Sequence, residues 1–217
     1  MNCKKIAYIS PLIGISLYVL FIGIAMVSYP GGTMDNPSYK GYNFWGNTFS
    51  DLGRLVAHNG ETNLASMILF TIAYSSIAVT FLPFYYKFPQ IFEKNSSGYK
   101  SSFIGSIFGG CASLFFIGVI FTPADILRPP HMVFAFGAYA LTFFSMASYS
   151  LALHISGNYP KNITYIYIIL TITFFVILMV DIIGLGISRT IMVIGQKLGR
   201  MVVFLGSIFL IYEPLIN

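Results

Sequence analysis

The chain has 217 residues, of which 56% are hydrophobic and 9% charged, and its formal net charge is +5. A soluble domain carries about 25% charged residues, so this composition excludes a soluble enzyme and describes an integral membrane protein. The lysines are scattered and form no basic stripe interleaved with aromatics, so nucleic acid is not a partner, and two cysteines, Cys3 and Cys111, make no disulfide framework.

The first apolar run, 6–29, follows Lys4 and Lys5. It is too long for a signal-peptide core and no small-x-small cleavage site follows it, so it reads as a retained helix with Pro11 in its first turns. Five more runs, 63–86, 101–122, 131–154, 163–185 and 198–215, approach the roughly 20 apolar residues that a membrane span needs. The expected fold is all-α: one domain, 1–217, built as a bundle of six transmembrane helices without an internal repeat. In the third span Ser102, Gly105, Gly109 and Ala112 make a small-residue face. Such a face serves either ordinary bundle packing or a homo-oligomer contact through Gly105 and Gly109.

Between the first two spans lies a long loop, 30–62, whose part YNFWGNTFSDLGRLVAHNGETN carries the single Trp. Antiparallel neighbours need only about 2–8 connecting residues. Phe44, Trp45, Phe49, Leu52, Leu55 and Val56 are too many apolar residues for a solvated strand and would seat the loop at the interface. The loop is therefore expected to fold over the bundle mouth, with Asp51 or His58 near His131 or Asp125. If 50–58 is helical, Asp51, Arg54 and His58 share one face and Asp51 pairs with Arg54. The alternative is an interfacial helix with a surface ion pair and an exposed His. Gly53 makes the run a poor helix.

Between spans three and four, FTPADILRPPH places Pro129 and Pro130 at a helix start and His131 at its mouth. Asp181, in VILMVDIIGLG, is costly in a membrane unless paired; Arg128, Arg189 or Arg200 is its expected partner, in a site or simply to hold the last two helices together. The segment 189–200 leads into span six. His154 and Glu213 read as interfacial anchors, and Tyr85, Tyr86, Tyr159 and Trp45 as belt aromatics.

The charges sort by end. Lys4, Lys5, Lys87, Lys94, Lys100 and Lys161 fall on the terminal side, and the arginines fall on the other, with Asp35, Asp51, Glu61, Asp125, Asp181, His58 and His131. Lysine suits a solvated anchor, whereas arginine among acids and histidines suits fixed, paired geometry. Counts of Lys plus Arg are equal on the two sides, so Lys4 and Lys5 before the first helix decide for cytoplasmic N- and C-termini and an outer polar cluster. Within that cluster Ser50, Asp51, His58, Asp125, His131 and Asp181 are the candidate catalytic residues. Arg54, Arg128, Arg189 and Arg200 are candidates to hold a phosphate of a membrane lipid. Two histidines and a carboxylate would suit zinc, although no H-E-x-x-H supports it. Ser50 is a candidate nucleophile with His58 or His131 as base, although no G-x-S-x-G elbow is present.

Phe49-Ser50-Asp51-Leu52-Gly53, Thr122-Pro123-Ala124-Asp125 with His131, and Ile194-Gly195-Gln196-Lys197 with Arg200 resemble the pattern of the domain-of-unknown-function 998 family of bacterial and archaeal membrane proteins. Ser50-Asp51-x-Gly53 is more distantly similar to a loop of the DRAM-like group. The resemblance implies a six-helix bundle in a prokaryotic plasma membrane with a polar site at the outer leaflet, and supplies no reaction. Three functions remain open: a lipid-handling site, including a hydrolase or transferase; a structural or sensory protein; and a transporter. The absence of ionisable residues at mid-depth in spans one, three and six counts against the last.

Overall fold

The computed structural model describes residues 3–157 and 159–216, with side chains from 5 to 157 and 159 to 212. The side chains of Cys3, Lys4 and Glu213 lie outside that set. The elements are helices α1 (Cys3–Ser28), α2 (Phe49–Leu52), α3 (Leu64–Thr80), α4 (Leu82–Lys87), α5 (Ser97–Phe121), α6 (Arg128–Ser156), α7 (Lys161–Ile187) and α8 (Arg189–Ile216). A short 3-10 turn, Phe88–Ile91, prolongs α4. Counting α3, α4 and that turn as one span, six helices are long and apolar enough to cross a membrane. The protein is an all-α integral membrane protein.

Each span packs against the next, and α8 returns to α1, closing a ring. Because the number of spans is even, the loop 29–63, the α5–α6 connection and the α7–α8 turn gather at the end opposite the termini. Inside the ring lies an aromatic core. Tyr18, Phe70, Tyr74 and Phe116 fill the half near the loop, Tyr8, Phe84, Phe88, Tyr149 and Tyr167 fill the other, and Tyr139 of the second group meets Phe116 of the first.

Several boundaries differ from expectation. The last helix begins at Arg189, not at residue 198, and a single residue, Ser188, separates it from α7. The polar run through Gly195, Gln196, Lys197 and Arg200 reads as a boundary in one dimension, yet each of these residues faces inward on one helix. Arg200 consequently lies roughly 16 Å inside α8, at 1.5 Å per residue, near mid-depth. A buried cation at that depth removes the argument that span six is free of ionisable residues.

The small-residue face of α5 points inward too. A Cβ on Gly105 would meet Tyr149 and the Ser145 carbonyl, and one on Gly109 would meet Tyr85. Ser145 Oγ donates to the Gly105 carbonyl at 2.7 Å. These glycines serve helix packing within the chain and are not free to meet a second copy. Among the belt aromatics, Trp45 and Tyr86 are exposed, but Tyr159 is buried and donates to the Leu210 carbonyl.

Candidate functional site

The loop is a folded lid. It begins at Gly31, which bridges to Lys40, and at Gly32, whose φ of +83° and contact with the His58–Asn59 backbone leave no room for a side chain. Thr48 caps the four-residue α2. Its hydroxyl accepts from the Asp51 amide at 3.1 Å, and the Asp51 carboxylate accepts from the Thr48 amide at 2.8 Å. This is a capping box, and the T-x-x-D spacing of Thr48 and Asp51 was its signal in the sequence. Gly53 ends the helix. The expected helical face of Asp51, Arg54 and His58 therefore does not exist. Arg54 Nε donates instead to the Val56 carbonyl. Asn63 closes the lid from below by donating to the carbonyls of Leu52 and Arg54.

The bundle holds the lid through α8. Gln196 accepts from the Phe49 amide at 2.8 Å, and Lys197 Nζ donates to the carbonyls of Phe44 and Asn47 beneath the Phe44 ring. Arg189 Nη2 reaches Asp51 at 3.0 Å. Phe49 and Leu52 are buried in the core, while Phe44 and Trp45 remain exposed. The α5–α6 connection completes the closure, because Asp125 accepts from the amides of Leu55 and Val56. Residues 50–58 thus lie over the mouth, against Asp125 and His131.

Asp51 is the hub of the lid. Only 4% exposed, it accepts from Thr48 N, Asn47 Nδ2, His58 Nε2 and Arg189 Nη2. Burial pushes its carboxyl up, but the His58 hydrogen bond and the Arg189 charge outweigh burial and hold it below the ordinary carboxylate range.

Beside it stands a second pair. His131, 3% exposed, has Nδ1 at 2.6 Å from the Thr122 carbonyl and Nε2 at 2.9 Å from Ser50 Oγ. A carbonyl only accepts, so Nδ1 carries the proton. In the neutral ring Nε2 then accepts, and the Ser50 hydroxyl donates to it. A serine hydroxyl, an imidazole and a fixed carbonyl in line form the arrangement in which a base can take the serine proton.

Both pairs open onto one cavity of about 400 Å³ between the lid and α6, α7 and α8. Ser50, Asp51, Arg54, His58, Asp125, Arg128, His131, Asp181 and Arg189 all line it. Its walls add Met132, Ala135, Phe136, Leu178 and Leu185, so charge at the mouth gives way to apolar surface below. Tyr139, Thr122, Asn47, Gln196 and Lys197 belong to this assembly and were not singled out in the sequence as site residues.

Two expectations fail. Asp181 has no arginine partner: its Oδ1 is buried without a hydrogen bond among the described residues, against Gly195 of α8. The tight α7–α8 turn sets a glycine opposite it and sends Arg189 to Asp51. Arg200 is no phosphate ligand at the mouth. It is 4% exposed, donates to Tyr74 and Tyr139, and lies among the rings of Tyr18, Tyr74, Phe116, Tyr139 and Phe204. The residues whose types would suit zinc do not converge. Among the described residues no three of His, Cys, Asp and Glu come together to hold a metal, because Asp51, His131 and Asp125 each turn to separate protein partners.

The fold and the cavity define a six-helix integral membrane protein with a lidded polar site at one end of the bundle. Comparison with protein-family models, with curated proteins and with solved structures finds no match.

Proposed function

We propose that the protein is a membrane-embedded lipid hydrolase or acyltransferase with Ser50 as nucleophile and His131 as general base. The observation that supports this most is the Ser50–His131–Thr122 carbonyl alignment inside a cavity that is charged at the mouth and apolar below. As Ser50 Oγ attacks an ester carbonyl carbon, its proton passes to His131 Nε2. His131 returns that proton to the departing alcohol oxygen, which leaves an acyl-Ser50. Water, or a second alcohol, then gives a proton to His131 and its oxygen attacks the acyl carbon; Ser50 Oγ departs and recovers the proton. Arg54 and Arg128 at the mouth, with Arg189 tied to Asp51, attract an anionic headgroup. The lid faces outward over cytoplasmic termini, on the strength of Lys4 and Lys5 before the first helix.

A serine-directed fluorophosphonate, applied to protein purified in mild detergent, should label wild type at Ser50. Ser50→Ala and His131→Gln should both lose the label. Folded wild type that is never labelled would favour the second reading, a structural or sensory protein in which the Ser50–His131 bond only straps the lid down. Sidedness is tested in a chain with Cys3 and Cys111 replaced by Ser. An impermeant maleimide on intact cells should reach Glu61→Cys and miss Lys94→Cys; the reverse would invert the orientation.

A further inference from the structure

Three carboxylates line the cavity, and two are fully engaged by the protein. Asp51 holds four donors, and Asp125 holds the Leu55 and Val56 amides. Asp181 is different. It is 7% exposed, it lines the cavity, and its Oδ1 has no partner among the described residues. That oxygen lies against Gly195, where a Cβ would stand 1.9 Å from it, so the oxygen left for the cavity is Oδ2, which likewise has no hydrogen bond among the described residues. The backbone of α8 is thus shaped around this carboxyl group without satisfying it. Buried polar groups are nearly always hydrogen-bonded, and one left unmade carries a desolvation penalty. Of the cavity's other lining residues, Met132, Ala135 and Leu178 donate nothing, and the Tyr139 hydroxyl oxygen accepts from Arg200.

Depth indicates which part of a ligand would meet Asp181. Arg189 reaches Asp51, the neighbour of Ser50, at the top of α8. Gly195, and with it Asp181, lies roughly 9 Å further along that helix. A lipid whose headgroup stays among the mouth arginines would present its ester carbonyl at Ser50 and its chain below. Resting on the hydrolase reading, we infer that Asp181 is a specificity-determining residue that accepts a hydrogen bond from a hydroxyl or amide N–H on the chain side of the reacting carbonyl. The substrate class is then a hydroxyacyl or acylamino lipid, not a lipid with a plain alkyl chain.

The test uses the full-length Ser50→Ala variant in detergent, so that binding is read without turnover. Native mass spectrometry compares 1-(3-hydroxytetradecanoyl)-glycerol 3-phosphate with its 1-tetradecanoyl counterpart. The hydroxylated lipid should bind about tenfold more tightly or better. Adding Asp181→Leu should abolish the preference. Should that variant not fold, Asp181→Asn, which keeps the shape and replaces one acceptor oxygen with a donor, should cut the preference several-fold. Equal affinity for the two lipids, no binding of either, or a preference that survives these substitutions would overturn the role of Asp181. Ser50 labelling with no preference sinks this inference alone, whereas a preference without labelling sinks the hydrolase reading and leaves the ligand site.

Discussion

Asp51→Asn separates the charge of the lid hub from its shape. The carboxylate accepts from Thr48 N at 2.8 Å, from His58 and Arg189 at 3.0 Å and from Asn47 at 3.2 Å. An asparagine can keep its amide oxygen toward Thr48 and Asn47 and turn its NH₂ toward His58, whose neutral ring can accept. The cap survives and the ion pair with Arg189 is lost. Breaking a fully buried pair costs about 3–5 kcal/mol. The Arg189 side chain is 19% exposed and reaches some water, so about 2 kcal/mol is expected here. Asp51→Ala also removes the capping box and leaves the Thr48 amide unsatisfied, which raises the loss to about 4 kcal/mol. Trp45 is the single tryptophan, it is 61% exposed and it belongs to the lid, so its emission reports lid detachment alongside a thermal melt in detergent. The sign with pH follows from the lowered pKa. The contribution of Asp51 is complete above its unfolded value of about 3.9 and is lost as pH falls through the folded value, so wild type should weaken below about pH 4 while the Asn variant does not. Both variants lying within about 0.5 kcal/mol of wild type, or Asn costing as much as Ala, would refute the reasoning.

Arg200→Lys should cost more than Arg200→Met, because a compact ammonium is more strongly hydrated and cannot stack as a plane among five rings, whereas an apolar side chain needs no partner. Lysine proving the milder change in a denaturation series would contradict the cage. Gly195→Ala should destabilise by about 1–3 kcal/mol through its clash with Asp181 Oδ1, and the cost should largely vanish in an Asp181→Ala background. Additive losses in that double-mutant cycle would show that the two residues do not collide.

The six apolar runs and the folding back of the loop were legible because length and hydrophobicity decide them. Phe49 and Leu52 sink into the core as their apolarity requires. The lid's internal geometry was harder, since the spacing of Asp51, Arg54 and His58 suggested a helix that Thr48 starts and Gly53 stops after four residues. Ser50 and His131 were visible as residue types, but their contact joins positions 81 apart and depends on Thr122 fixing the imidazole. Arg200 was misplaced for a similar reason. A cation in an apolar run looks like an interface unless the rings that surround it, supplied by four other spans and by Phe204 of its own helix, can be seen together.

The lid is translated early and its tethers late. Phe44, Asn47 and Phe49 wait for Gln196 and Lys197, partners separated by 147 to 153 positions in the chain. Synthesis runs from the N-terminus, so the first spans enter the bilayer while the segment above them still lacks its α8 partners. Ser188 leaves no slack between α7 and α8, and the two must arrive as one hairpin. Insertion of that hairpin brings the tethers, the Asp51 counterion and the wall carrying Asp181 in a single event. A ribosome that stops before residue 189 therefore releases a chain whose lid lacks its α8 tethers and whose chamber lacks one wall.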